Sequence, residues 1–156
     1  SPLTADGDLL DELRFAHRNC GMSADQLFAM VTDQASRILR LRRGEGNMRV
    51  GGVADAFAVR RPHAGDPAQV LATSSWQDVE LVILGGQVRL ASDQVWDRLP
   101  LQLRQGLTPI RIESQIRWLC EPVLPMLQAA ETVLGKGRVR VGGLQVAQME
   151  GERHAC

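Results

Sequence analysis

The sequence predicts an α+β fold, and three observations support this. Amphipathic helical patterns fill the chain up to Gly44. Two runs of strand-forming residues then flank Gly85-Gly86, and glycine takes the positive φ angles of a type I′ turn without steric cost. The same alternation and a Gly142-Gly143 pair recur between Arg138 and Val146. We therefore predict a β-hairpin at each Gly-Gly pair, with helices packed against the resulting sheet.

Length, composition and charge restrict the classes of protein. A chain of 156 residues, 44% of them hydrophobic, can bury one core of ordinary size. Its 18 basic and 18 acidic residues balance, which argues against nucleic acid or a membrane surface as a partner. Cys20, Cys120 and Cys156 are too scattered for a disulfide framework, so we expect a cytoplasmic protein. No apolar run approaches the roughly 20 residues of a membrane span.

Because the chain opens Ser-Pro-Leu-Thr without methionine, we expect it to derive from a longer polypeptide.

The first two predicted helices have recognisable faces and ends. The first spans about Asp8 to Cys20, with one apolar face and Phe15 on the opposite side. That face is expected to contain Leu9, Leu13, Ala16 and Cys20, flanked by Leu10 and His17. Ser23 and Gln26 have the spacing of a capping box, which predicts a short helix through Val31.

A third helix is expected from Asp33, as its cap, to Arg40, with Ala35, Ile38 and Leu39 facing inward. A basic run ends it, formed by Arg37, Arg40, Arg42 and Arg43. Cations at this end offset the negative pole of the helix dipole. We favour this solvated helix end over a phosphate site, because no aromatic partner accompanies the arginines.

Glycines then lead into a strand from Val53 to Val59, an apolar run expected to be buried on both faces and to pair with the central hairpin. Asp55 within this run is either a carboxylate that accepts N–H bonds from the preceding loop or a catalytic acid. The structural role is favoured, because no second titratable group lies nearby in sequence. The predicted structural site residues are Gly51, Gly52, Asp55, Gly85 and Gly86.

The remaining elements follow from caps and periodicity. Asp66-Pro67 predicts one or two helical turns, and Asp93 is expected to cap a short helix before Pro100. The segment 108–119 alternates around Glu113-Ser114 and predicts a second hairpin, with a helix as the competing interpretation. A helix from Pro122 to Gly135 should bury a stripe of Val123, Leu127, Ala130 and Leu134. The tail from Gly151 to Cys156 is expected to be mobile.

No catalytic or metal-binding motif is present in the sequence. His17, His63 and His154 share neither a helix face nor an H-x-H spacing that would chelate a metal. No nucleophile elbow, phosphate-binding glycine loop or dinucleotide fingerprint occurs. We therefore predict no catalytic residue, no metal ligand and no bound cofactor in this chain.

Several segments, in order, resemble the C-terminal part of amidohydrolase-superfamily enzymes. They are Ser1–Thr4, Leu9–Leu13, Met30–Leu39, Arg49–Asp55, Asp66-Pro67 and the hairpin Val79–Val88. The resemblance covers Ser1 to about Ser92. It implies that residues 1–44 are helices following the eighth strand of a (β/α)8 barrel. Residues 45–92 would then be strands of a small composite β-sandwich, and 93–156 a C-terminal extension with hairpins and an amphipathic helix.

The resemblance also implies where the chemistry lies. Members of the superfamily hold zinc or another divalent metal with histidines, a lysine or glutamate, and a strand-8 aspartate, none of which has a counterpart here. By the pattern, that aspartate would lie just before Ser1. The parent would be a metal-dependent hydrolase of amide, cyclic amide or amidine C–N bonds, and these 156 residues alone should be inactive.

Two functional classes remain open. In the first, the chain is the structural C-terminal portion of such a hydrolase, and its partner is the missing barrel portion of the same protein. In the second, it is a non-catalytic interaction or oligomerisation module that uses the sandwich half as a docking surface. Because the surface of a barrel is missing, we also expect the chain to self-associate, through a sheet edge or through the first helix, where Phe15 faces away from the apolar face.

Overall fold

A computed structural model describes residues 7–61 and 65–149. The fold is α+β, with short helices and antiparallel strands. The chain divides into two compact units, one ending at Gly86 and the other beginning at Gln87. We call them the N-terminal and the C-terminal unit and describe each by itself.

Among residues 7–61 and 65–86, the N-terminal unit contains four helices and two strands, joined by loops and a short 3₁₀ turn at Trp76–Asp78. They are α1 (Leu9–Asn19), α2 (Ala24–Val31), α3 (Asp33–Ile38), β1 (Ala56–Val59), α4 (Pro67–Thr73) and β2 (Val79–Leu84). The C-terminal unit contains β3 (Gln87–Ser92), α5 (Asp93–Trp96), α6 (Leu101–Arg104), β4 (Thr108–Ile112), β5 (Gln115–Leu119), α7 (Val123–Leu134), β6 (Arg140–Val141) and β7 (Leu144–Gln148).

Helices α1, α2 and α4 enclose the core of the N-terminal unit. Its buried side chains are Leu10, Leu13, Leu27, Leu71 and Ala72. The predicted capping box at Ser23 is present at the start of α2, and Asp8 closes a second capping box, which was not predicted, at the start of α1. The predicted inner face of α1 was wrong at Leu9 and Cys20, which are exposed, because the buried stripe passes through Leu10 and Leu13 instead.

Helix α3 differs most from its prediction. It ends at Ile38, and Asp33 is its first residue rather than its cap, with a carboxylate that pairs with Arg37 one turn later. Ile38 and Leu39 were expected to face inward, yet both are exposed. A six-residue helix makes fewer than two turns, so its final residues extend past the core. Of the arginine run, Arg37 alone lies in the last turn of the helix.

Strand β1 is shorter and more exposed than its apolar run suggested. It pairs antiparallel with β2, as predicted, with Phe57 opposite Val82. Burial on both faces was wrong, because Phe57 and Ala58 are exposed and Asp55 precedes the strand.

The predicted central turn has the expected geometry. Strands β2 and β3 are joined by Gly85 and Gly86, whose φ angles are 58° and 78°. Both values lie in the left-handed region that a type I′ turn requires and that non-glycine residues adopt at a cost.

The C-terminal unit is an antiparallel sheet with a helix against it. Its strand order is β3, β5, β4, β7, with β6 paired to β7. Strands β4 and β5 form the predicted second hairpin, which rules out the competing helix. Helix α7 packs Leu127 against Ile110 and Val146. The predicted stripe was wrong at its end, where Leu134 is exposed.

Two tryptophans fix the short helices of the C-terminal unit. The rings of Trp96 and Trp118 stack in parallel with centroids 3.7 Å apart, and the Arg104 guanidinium lies 5.1 Å from the Trp96 ring centre. The indole N–H of Trp118 donates to the Asp93 carboxylate at 3.1 Å. Asp93 was predicted to cap α5, but Ser92 does so by accepting the Val95 N–H.

Several predictions fall outside the described residues, namely those on Ser1–Thr4, His63, His154 and the Gly151–Cys156 tail. Within the described part, none of the helices combines the length and the apolar character that crossing a membrane would need.

Candidate functional site

The candidate site is built by the loop that connects α3 to β1. Its two ends are held together by the Val53 N–H, which donates to the Arg43 carbonyl at 2.9 Å. Gly44 permits this closure, because a Cβ at that position would lie 2.9 Å from Gly52 Cα. The loop therefore has a defined shape, although it contains no regular secondary structure.

Asp55 connects this loop to the central turn. Its carboxylate accepts the Gly85 N–H at 2.6 Å, and the Gly86 N–H donates to the Ala54 carbonyl at 3.0 Å. The predicted acceptor role thus involves the Gly85-Gly86 turn, whereas the sequence had suggested the loop before the strand. Gly51, at φ 83°, and Gly52 form the tight turn that precedes this segment, in which the Gly52 N–H donates to the Arg49 carbonyl.

An open apolar groove of about 400 Å³ lies between the loop and β2. Its lining residues come from the loop, from the start of β1 and from one residue of β2: Met48, Arg49, Val50, Gly52, Val53, Ala54, Asp55, Ala56 and Ile83. The Asp55 carboxylate is already engaged by the turn, and Arg49 is the other charged residue of this lining. The groove is therefore suited to receive apolar side chains.

Large aliphatic side chains project into solvent between residues 38 and 50 of the chain, and two of them, Met48 and Val50, also line the groove. Met48 is 93% exposed and Val50 fully so, and Ile38 is 79% exposed. Leu39 and Leu41 are also exposed. A single exposed aliphatic residue is ordinary, whereas five within thirteen positions make this stretch a candidate contact surface.

Sequence analysis missed this surface. Ile38 and Leu39 were assigned to the core, and Met48 and Val50 received no role. A signal was nevertheless present, because Met48 and Val50 are aliphatic residues in a loop of glycines and arginines, where a solvated loop would have polar residues.

The remaining titratable candidates have structural partners. His17 contacts the Met22 carbonyl through Nδ1 at 2.9 Å and the Gln69 amide through Nε2 at 3.3 Å, so both ring nitrogens are used. Cys20 and Cys120 are free thiols, and Cys120 lies 3.8 Å from an Arg89 guanidinium nitrogen.

The described histidine, cysteine, aspartate and glutamate residues do not form a catalytic metal centre. In the described ranges, no three histidine, cysteine, aspartate or glutamate side chains lie close enough together to hold a metal ion. Asp55 is bound to a backbone N–H and has no such neighbours. No step of a metal-dependent reaction is therefore assigned to residues of this chain.

Comparison with protein-family models, with curated proteins and with solved structures found no match to this chain.

Proposed function

We propose that this chain is the C-terminal structural portion of an amidohydrolase-like metal-dependent hydrolase that acts on C–N bonds of amides, cyclic amides or amidines. In this proposal α1–α3 follow the last strand of a catalytic barrel, and β1 with the central hairpin belongs to a composite β-sandwich. The zinc or other divalent metal would be held by the portion of the parent that precedes Ser1.

One observation carries the proposal, namely the exposure of the large aliphatic side chains between Ile38 and Val50. By the resemblance, helices up to residue 44 would be followed by sandwich strands from residue 45, so this stretch would lie where the two parts meet. Met48 and Val50 lie within this range and are almost completely exposed. Burying apolar surface contributes about 25 cal/mol per Å², so covering these side chains would stabilise the parent.

The proposal assigns Asp55 a structural role, which its bond to Gly85 supports. It also includes a cytoplasmic location, for which the support is a sequence with three scattered cysteines.

The test is to read the coding sequence upstream of Ser1 and to express the complete polypeptide beside this chain. We expect an H-x-H pair and, shortly before Ser1, an aspartate. The complete polypeptide should hydrolyse members of a panel of cyclic amides and amidines, and this chain should hydrolyse none. A start codon directly before Ser1, or hydrolysis by the chain alone at the rate of the parent, would contradict the proposal.

A second candidate function is an oligomerisation module, and helix α7 favours it. Met126 and Val133, seven positions apart, lie on the outer side of α7 and are exposed, as is Leu134. This surface lies beyond Ser92, so the resemblance to amidohydrolases does not account for it. Sedimentation over a hundredfold range of concentration separates the two functions. A dimer that Val133→Glu dissociates would favour the module, and a strictly monomeric chain would exclude it.

A further inference from the structure

The turn between β4 and β5 contains a glutamate in a costly backbone conformation. Glu113 has a φ of 51°, in the left-handed region that glycine adopts freely and other residues adopt at a cost. The turns at Gly85-Gly86 and Gly142-Gly143 have glycine at their positions of positive φ. A strained residue at a position where glycine would fit indicates that its side chain has a role.

The Glu113 side chain joins this turn to β7. The Gln145 backbone N–H donates to Oε1 of the Glu113 carboxylate at 2.7 Å, and the Glu113 N–H donates to the Gln145 carbonyl at 2.8 Å. These two bonds extend the antiparallel ladder of β4 and β7 by one pair beyond Ile112 and Val146. In this last pair the carboxylate takes the N–H that a backbone carbonyl accepts in a regular ladder.

The same carboxylate also faces β6. Nη1 of Arg140 lies 3.9 Å from Oε1 of Glu113 and donates to the Gly143 carbonyl at 3.1 Å. Arg140 is the ladder partner of Gln145 in the pairing of β6 with β7. We call β6, β7 and the turn between them, residues 140–148, the strap. Glu113 therefore contacts both strands of the strap, β7 by hydrogen bonds and β6 by charge.

The strap covers part of the core of the C-terminal unit. Val146 of β7 is buried together with Ile110 of β4 and Leu127 of α7. Strand β7 joins β4 over the three pairs from Ile110 to Ile112 and the pair that Glu113 adds. An element held by a short ladder can open at a lower free energy than the unit as a whole. Detachment of β7 would uncover Ile110 and leave β4 with an unpaired edge.

We propose that the strap opens locally from β4 while the β4–β5 hairpin stays folded, and that Glu113 is the latch that holds it closed. In the closed form the Glu113 carboxylate accepts the Gln145 N–H. In the open form both groups are hydrated, and the edge of β4 is free to pair. The bonds of the latch offset the strain at Glu113. The device lies within the C-terminal unit and does not depend on the proposed hydrolase function.

Hydrogen exchange of backbone amides in this chain tests the proposal. After correction for intrinsic rates, wild-type amides of β7 should exchange at least about tenfold faster than those of β5, which lies between β3 and β4. Glu113→Gly removes the carboxylate from a position that glycine adopts freely. It should speed exchange of the β7 amides by about a further tenfold and leave the β5 amides unchanged. Glu113→Gln keeps an acceptor oxygen without the charge, so it should speed β7 exchange by only about threefold.

The matched control is Ser114→Gly, which introduces glycine into the same turn without removing the latch. Ser114 is exposed, and its replacement should leave β7 exchange within about twofold of the wild-type rate. Circular dichroism verifies that each variant folds. Because Glu113→Gln retains the length and shape of the side chain, its comparison with Ser114→Gly still tests the latch if Glu113→Gly does not fold.

Three results would overturn the proposal. Equal protection of β7 and β5 in the wild-type chain would mean that the strap opens only when the whole unit unfolds. Exchange of β7 that is no faster in the two Glu113 variants than in Ser114→Gly would show that Glu113 is not the latch. Equal acceleration of β4, β5 and β7 amides in Glu113→Gly would show a general loss of stability in place of local opening.

Discussion

At the scale of single residues, Asp55 shows how one carboxylate can join two separate backbone segments. It precedes β1 and accepts the Gly85 N–H, while the neighbouring Ala54 carbonyl accepts the Gly86 N–H. The turn and the start of β1 are therefore held in register by adjacent residues. Charged acceptors form stronger hydrogen bonds than neutral ones, which explains an aspartate at this position.

Replacing Asp55 with alanine should lower the free energy of unfolding by about 1–3 kcal/mol, because the Gly85 N–H loses its acceptor. Thermal and urea unfolding measure the change, and Asp97→Ala, an exposed aspartate, serves as the control. An Asp55→Ala variant that unfolds with the wild-type chain, yet reduces hydrolysis in the complete polypeptide, would show that the structural role is wrong.

In the C-terminal unit, Trp118 joins separate segments of the chain in a similar way. It stacks on Trp96 and donates a hydrogen bond to Asp93. Trp118→Ala should cost about 3–5 kcal/mol, because it removes a fully buried ring and leaves a cavity. Asp93→Ala should cost about 1–3 kcal/mol, because it leaves the indole N–H of a buried ring without its acceptor while the stack stays in place. Equal losses from the two variants would mean that the hydrogen bond, and not the ring packing, stabilises this cluster. Urea unfolding followed by tryptophan fluorescence provides the measurement.

At the scale of elements, the central turn depends on backbone conformation. Gly85 has a φ of 58°, so Gly85→Val should destabilise the chain by about 1–2 kcal/mol or more, because a β-branched residue adopts that conformation poorly. Gly85→Asn should cost clearly less, since asparagine tolerates the left-handed region. Thermal unfolding of the two variants side by side tests this, and equal losses would argue against a type I′ turn.

Local signals predicted most elements, because a cap or a Gly-Gly pair acts within four residues. The capping box at Ser23, the hairpin at Gly85-Gly86 and the helix ending at Gly135 were all found this way. Burial was harder to predict, because it depends on what packs against an element. Ile38 and Leu39 have the spacing of core residues, yet nothing in the described structure covers them as a core would.

The candidate site could be predicted only in part for the same reason. Asp55 stood out because a carboxylate interrupts an apolar run, and its role as an acceptor followed from its type. Its partner did not, since Gly85 lies thirty positions further along the chain. The groove beside Met48 requires the closure between Arg43 and Val53, which no local pattern encodes.

At the scale of the whole molecule, the chain has buried aliphatic cores and also a stretch of exposed aliphatic side chains. Each unit buries its own cluster of aliphatic side chains. The stretch of residues 38–50 instead exposes aliphatic side chains and also carries four arginines. In the function that we propose, another portion of a larger hydrolase would cover this surface.

Metal analysis after dialysis against a chelator tests this account most directly. The complete polypeptide should retain about one or two equivalents of zinc or another divalent metal, since its barrel would supply the ligands. This chain, purified in the same way, should retain none, because its described residues contain no group of three ligands. A tightly held equivalent in the chain alone, or a complete polypeptide without metal, would contradict the assignment to a metal-dependent hydrolase.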